Sequence, residues 1–407
     1  MILIECFTES HIDNLAACLR LQPETVVMVG KQAEMEESVR RYQKLLKDRG
    51  QNTCVKTCDV GDRDLAGICA ALEKLLRVDA EFVIDMTGGD ELVIMAVGAV
   101  LTQLDADKRR HIRVEKYSHR KGNVVDCVHD NRPVSYPAVG ITVQELVELH
   151  GGKLMPGCSH LPQNFRQEEL DKLWELVRQD PRGWNESVGY LNEFESKSDT
   201  KDPVVLPLKL LRLSIDKFEK KENAVRELLE KLDRAGCIED LSSWDELKFR
   251  YRSEVVRYCL RKAGNVLELK TLAEGCNARK GEKPLFQDCV MSVSIDWDGV
   301  FHKITDKDVD TRNEIDVMLM HGLTPLFISC KNGGVGEDEL YKLHTVAERF
   351  GGPYARKLLI VTELCKSNER SERAFGQRAQ DMGIKLVTNG AKLSPEEWEE
   401  TLQNAIR

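Results

Sequence analysis

Over the first hundred residues short β-rich apolar runs alternate with helical stretches, and that alternation leaves few folds open. Residues 2–6, 25–30 (TVVMVG), 53–58 and 82–86 read as strands, and residues 11–21, 34–49, 62–76 and 92–104 read as the helices between them. Runs that are apolar throughout suit a parallel sheet covered on both faces. The alternation therefore predicts an α/β, Rossmann-like doubly wound parallel sheet. Residues 114–117 and 124–128 predict an antiparallel pair at its edge.

Sheets of this type take ligands at the carboxyl ends of their strands. Two loops lie there. Residues 7–11 hold the hydroxyls of Thr8 and Ser10 and the imidazole of His11. Residues 85–91, DMTGGDE, place Thr87, Gly88 and Gly89 before a helix. Glycines there let backbone N–H groups close on an anion, and the helix dipole favours negative charge. A tight strand-to-helix turn is the plain alternative. The segment is not G-x-G-x-x-G, and the acidic residue that follows such a fingerprint has no counterpart, which argues against a NAD enzyme.

Further on, residues 313–332, NEIDVMLMHGLTPLFISCKN, hold two apolar runs joined by His321-Gly322-Leu323-Thr324 and read as a hairpin. Residues two apart in a strand share a face, so Glu314 points with Asp316, and Ser329 with Lys331. Carboxylates beside a lysine at the ends of neighbouring strands suit a divalent cation and a water aimed at a phosphodiester. Charged ends on an ordinary hairpin are the plain alternative.

The chain has 407 residues, room for two or three domains. A net charge of −9 argues against a general positive coat but leaves a local basic groove open. No apolar run reaches the roughly 18 residues of a membrane span, and MILIECF lacks the basic start of a signal peptide. Thirteen cysteines without a C-x-x-C pair are expected as reduced, mostly buried thiols of a cytoplasmic protein. The expected division is 1–150, the Rossmann-like unit; 151–240, a helical connector; and 241–407, a second α/β unit. Within the connector, helices are expected at 167–178 and 224–235; a winged helix is open, without a clean helix-turn-helix signature. The last unit reads as helix 244–262, strands 265–272 and 289–296, the hairpin, helix 337–350, strand 357–362, helix 370–381 and strand 383–387.

The hairpin resembles the core of the PD-(D/E)xK nucleases, an acid on one strand followed by (D/E)-x-K on the next. Asp316 matches the first acid and Lys331 the lysine, while Ser329 stands where the pattern has Glu or Asp. The resemblance implies a restriction-endonuclease-like fold with Asp316 as metal ligand, Glu254 or Glu314 as second carboxylate, Ser329 on a metal-bound water and the Cys330 carbonyl as a further ligand. The ion implied is Mg²⁺ or Mn²⁺. Glu268-Leu269-Lys270 also spells (D/E)-x-K, but no acidic strand precedes it. Residues 1–150 resemble CARF domains, the CRISPR-associated Rossmann-fold sensors. Thr8, Ser10 and His11 match the first ligand motif and Thr87, Gly88 and Gly89 the second; Asp90 and Glu91 follow where many members have Thr and Lys. RYRSEVVRYCL (250–260) resembles the GxWLE-type helix of nucleases fused to CARF domains, with Glu254 at the acidic position, and LYKLHTVAERFGG (340–352) resembles the helix after their catalytic lysine. Together these imply a homodimeric, cyclic tetra-adenylate-activated, metal-dependent nuclease of DNA, RNA or both, in type III CRISPR antiviral defence. A catalytically weak or dead cyclic-oligoadenylate sensor, and a ring nuclease that degrades the cyclic ligand, are the other two readings.

Overall fold

The first sheet is assembled from β1 (Ile2–Cys6), α1 (His11–Leu21), β2 (Thr25–Gly30), α2 (Gln32–Asp48), β3 (Cys54–Asp59), α3 (Leu65–Leu76), β4 (Phe82–Asp85), α4 (Glu91–Gln103), α5 (Ala106–Arg110), β5 (Ile112–Ser118), β6 (Asn123–Asp126) and β7 (Arg132–Val134). The computed structural model describes residues 1–118, 123–129, 131–198, 200–242, 246–302, 312–365 and 368–407. Strand order is β3-β2-β1-β4-β5-β6-β7. β1 to β5 are parallel, as the apolar runs require. β5 pairs in parallel with β4 as well as antiparallel with β6, so the expected edge pair lies inside the sheet and β7 forms the edge. α3 and α4 pack on one face around Ile84 and Val97; α1 and α2 cover the other.

The middle of the chain runs through α6 (Val143–Leu149), β8 (Lys153–Leu154), α7 (Gln167–Gln179), α8 (Pro181–Glu195), β9 (Val204–Leu206), α9 (Leu208–Ser214), α10 (Phe218–Arg234), β10 (Ile238–Ser242) and β11 (Leu247–Tyr251). The connector is not purely helical. β9 and β10 both pair antiparallel with β11, in the order β10-β11-β9. Helix, strand, two helices and a hairpin make a winged-helix arrangement. Its α10 carries five basic and five acidic residues and is neutral, so it lacks the positive stripe that reads duplex phosphates. The helix expected over 244–262 is corrected: its first two residues lie outside the described ones, and Leu247-Lys-Phe-Arg-Tyr251 alternates buried and exposed positions as a strand.

The last part comprises α11 (Glu254–Arg261), α12 (Asn265–Asn277), β12 (Arg279–Lys280), β13 (Lys283–Pro284), β14 (Asp288–Asp296), β15 (Arg312–His321), β16 (Thr324–Lys331), α13 (Glu337–Gly351), β17 (Arg356–Val361), α14 (Glu369–Asp381), β18 (Ile384–Val387) and α15 (Pro395–Ala405). The strand expected at 265–272 is helix α12. Nearly every residue of that run is buried, Asn265, Lys270 and Thr271 included, and a short run buried on all sides has no exposed face to separate helix from strand. The second large sheet has the order β18-β17-β16-β15-β14-β8. One face shares a continuous core with α1 and α2 of the first sheet through α6 and α13. The other packs on α12, α15 and the winged-helix segment. The cysteines are free, but only six are buried. Among the described residues no helix is long and apolar enough to cross a membrane.

Candidate active site

β15 and β16 pair from the His321–Thr324 turn to Val317–Ile328, and there the ladder ends. On the other flank Ser292, opposite Asp316 in the register of β14, takes φ 52°, a left-handed conformation unfavourable for a residue with a Cβ. Asp316 is thus released from regular pairing on both sides. Its Oδ2 instead accepts the Cys330 backbone N–H at 2.6 Å and lies 3.1 Å from Ser329 Oγ. Lys331 Nζ stands 3.5 Å from the same oxygen. Strand periodicity places Ser329 and Lys331 on one face, and the structure brings both to Asp316.

A residue outside the sequence candidates completes this group. Glu339, in the first turn of α13, has Oε1 2.7 Å from Ser329 Oγ and 3.3 Å from Lys331 Nζ. Acidic residues are common in first helical turns, where they complement the dipole, so the sequence carries no signal that separates Glu339 from Glu337 and Asp338. Burial pulls the Lys331 ammonium toward neutrality, but Asp316 and Glu339 more than offset it and its pKa stands above the ordinary lysine value. Lys331 is therefore a cation at neutral pH.

Glu268 of the second (D/E)-x-K, set aside because no acidic strand precedes it, acts on this group from α12. Burial, then the Asp316 and Glu314 carboxylates, push its pKa up to about 7, against the opposing pull of Lys262 and Lys331. Glu314 is exposed on the face of β15 that Asp316 occupies, as the strand period predicts. Glu254 is not in this group. It opens α11 with its side chain 81% exposed and pairs with Arg257; the helix whose acid feels the Asp316 charge is α12. The Cys330 thiol is buried, its acidity suppressed by burial first and Asp316 next, and it contacts Thr271. Because N–H and C=O of one strand residue point the same way, the Cys330 carbonyl faces the open side toward β15.

The two strand-end loops of the first sheet touch each other. A Cβ on Gly88 would lie 2.3 Å from the Thr8 side chain, and Gly89, at φ 111°, is held against Cys6. Thr8 is fixed through its N–H and C=O by the Asn14 amide. Thr87 gives both N–H and hydroxyl to Asp85 and accepts from the Tyr117 N–H, so it holds the loop in place. The Gly88 and Gly89 N–H groups have no hydrogen-bond partner among the described residues, and the Ser10 hydroxyl makes no cap bond. His11 points the other way. Its Nδ1 meets the Tyr42 hydroxyl at 2.8 Å and its ring lies edge-on to His150 at 5.0 Å. Burial, then His150, Arg41 and Arg349, bring its pKa down to about 3.

Residues 263–397 match the family described as Card1-like, endonuclease domain. The matched segment contains Asp316, Ser329, Lys331, Glu268 and Glu339, and excludes Glu254. The whole chain is similar in fold to protein VC1899 from Vibrio cholerae, which covers 99% of this chain and 96% of its own length at TM-score 0.72 and 15% identity. Can2 from Sulfobacillus thermosulfidooxidans, solved in complex with cyclic tetra-adenylate, covers 100% of this chain and 99% of its own at TM-score 0.67 and 14% identity. A type III CRISPR defence DNA nuclease activated by cyclic oligoadenylate covers 90% of this chain and 46% of its own at TM-score 0.50 and 15% identity. No curated protein matches by sequence.

Proposed function

We propose that the chain is a cyclic oligoadenylate-activated, metal-dependent nuclease that hydrolyses DNA, RNA or both in type III CRISPR defence. The observation that carries this reading is the meeting of Asp316 and Lys331 at the splayed ends of β15 and β16, inside the segment that matches the Card1-like endonuclease family.

The donor set suits Mg²⁺ or Mn²⁺. Among the described residues no three His, Cys, Asp or Glu side chains already converge on one point, but Mg²⁺ commonly needs only one or two carboxylates beside water and phosphate. Asp316 supplies oxygens, the Glu268 carboxylate adds negative charge from α12, and the Cys330 carbonyl faces the same opening. Burial raises the pKa of Glu268 most, and the Asp316 and Glu314 carboxylates raise it further; a divalent cation relieves that second, charge-based part. Such an ion, when bound, polarises the phosphate and makes its water more acidic. Lys331 keeps a positive charge where the phosphoryl oxygens gain negative charge during attack, and stabilises them. The Cys330 N–H fixes the rotamer of Asp316.

The unpartnered N–H groups of Gly88 and Gly89 and the free Ser10 hydroxyl suit a phosphate of the cyclic ligand. α4, which follows that loop, exposes Leu92 and Met95 at 45% and 56%. A two-fold contact covering them would set two loop pairs side by side under a symmetric ring, so a homodimer binding cyclic tetra-adenylate is part of this reading. The unpaired cysteines accord with a cytoplasmic site of action.

Cleavage of supercoiled plasmid and single-stranded RNA with Mn²⁺ and cyclic tetra-adenylate tests the assignment. Asp316→Asn and Lys331→Ala should each lower the rate by about a hundredfold or more, on the scale of losing one charge-stabilising group, with ligand binding unchanged. Undiminished cleavage by both variants would remove the site from β15 and β16. Binding without cleavage in the wild type would favour the dead-sensor reading, for which Ser329 is the observation.

A further inference from the structure

Asp316 has no carboxylate facing it from β16, because its neighbour there is Ser329. Glu339 occupies that region from the helix side. Ser329 Oγ lies between Glu339 Oε1 and Asp316 Oδ2, at 2.7 and 3.1 Å. One hydroxyl has one proton and donates to only one of them at a time. Lys331 is the cation they share, at 3.3 and 3.5 Å from the same two oxygens. Each carboxylate is therefore anchored through a single oxygen. Among the described residues, Asp316 Oδ1 and Glu339 Oε2 have no hydrogen-bond or ion-pair partner. Glu337, two residues earlier, pairs with Arg378 at half exposure, whereas the Glu339 side chain is 15% exposed and turned inward. Glu339 thus faces the Asp316–Lys331 group where Glu337 faces solvent.

We propose that Glu339 is the second carboxylate ligand of the metal site, relocated from strand position 329 to the first turn of α13. The inference rests on the nuclease reading and names a ligand it leaves open. Ser329 and Glu339 are then alternatives: a small residue on the strand leaves the space that the helix acid fills, and an acid on the strand makes the helix acid dispensable.

Binding of Mn²⁺ to the full-length protein, followed by the loss of the free-ion electron paramagnetic resonance signal, tests this without any cleavage assay. Glu339→Gln keeps the size of the side chain and an acceptor for Ser329, and loses the charge. It should weaken Mn²⁺ binding by about tenfold or more, given that even groups behind the ligands cost that much. Ser329→Glu placed in the Glu339→Ala background should restore both Mn²⁺ binding and cleavage, which a merely structural role for Glu339 would not allow. Wild-type Mn²⁺ affinity in Glu339→Gln, or a double variant that recovers neither property, overturns the relocation. Asp316→Ala separates the two levels: if it abolishes Mn²⁺ binding while Glu339→Gln does not, only the relocation fails, and if it leaves binding intact the nuclease site itself is wrong.

Discussion

Three carboxylates lie in register on adjacent strands of the first sheet: Glu5 of β1 beside Asp85 of β4, and Asp85 beside Glu115 of β5. All are at most 2% exposed. Arg20 lies 3.8 Å from Asp85 and stacks on the Tyr117 ring. Burial pushes the pKa of Asp85 up to about 6 from 3.8, although Thr87 and Arg20 pull the other way. The folded chain therefore holds a proton on Asp85 that the unfolded chain has lost. Stability from this group is complete below about pH 4 and falls as the pH rises toward 6, by about 3 kcal/mol. Asp85→Asn should flatten that decline, leaving the slope due to Glu5, whose acidity is also suppressed by burial and then by Asp85. Urea midpoints across pH 4 to 7 read this directly, and an unchanged slope would refute it. At this scale the sequence shows Asp316, Ser329 and Lys331 as a group because a two-residue period fixes their faces. It hides Glu339, since nothing local marks one helical acid as inward and its neighbours as solvated; Glu268 shows only as a (D/E)-x-K spelling without an acidic strand before it.

α13 joins the two functional regions. Its first turn holds Glu339 against Ser329 and Lys331. Beyond its last turn, Tyr354 donates to Asp13 of α1 at 3.0 Å, and Arg349 lies close enough to depress the pKa of His11. His11 follows directly on the Thr8–Ser10 loop. A shift of that loop would thus have a packed route to Lys331. Tyr354→Phe removes one interdomain hydrogen bond, a change of about 1 kcal/mol. Its expected effect is a severalfold smaller ratio of ligand-stimulated to basal cleavage, with cyclic tetra-adenylate affinity and the basal rate near wild type. An unchanged ratio would show that coupling runs elsewhere. The hairpin and the alternating units were legible because their apolar periods and turns are unambiguous. α12 was misread because burial on all sides erases the period, and β8 and β9, of two and three residues, are too short to carry one; their pairing is set by distant strands.

For the whole molecule, both faces of the second sheet are committed. One continues into the core of the first sheet and the other into the winged-helix segment. Contacts such as Arg49 to Glu145 at 2.7 Å, and the Val143 N–H to Asp288 at 2.7 Å, tie α2, α6 and β14 together. Sensor-like and nuclease-like halves therefore form one packed body, and a ligand that reshapes one half changes packing against the other. Gly88→Ala tests that the loops belong to this circuit. The added methyl would meet Thr8 at 2.3 Å, so the variant should lose ligand-stimulated cleavage while keeping Mn²⁺ binding at Asp316.

The most direct measurement is the initial rate of plasmid and RNA cleavage by the full-length wild-type protein with Mn²⁺, as cyclic tetra-adenylate is titrated from zero to saturation. A rate that rises with ligand, vanishes with chelator and is absent in Lys331→Ala is the expected result. Cleavage indifferent to the ligand, or retained by Lys331→Ala, would contradict a ligand-gated site at Asp316 and Lys331.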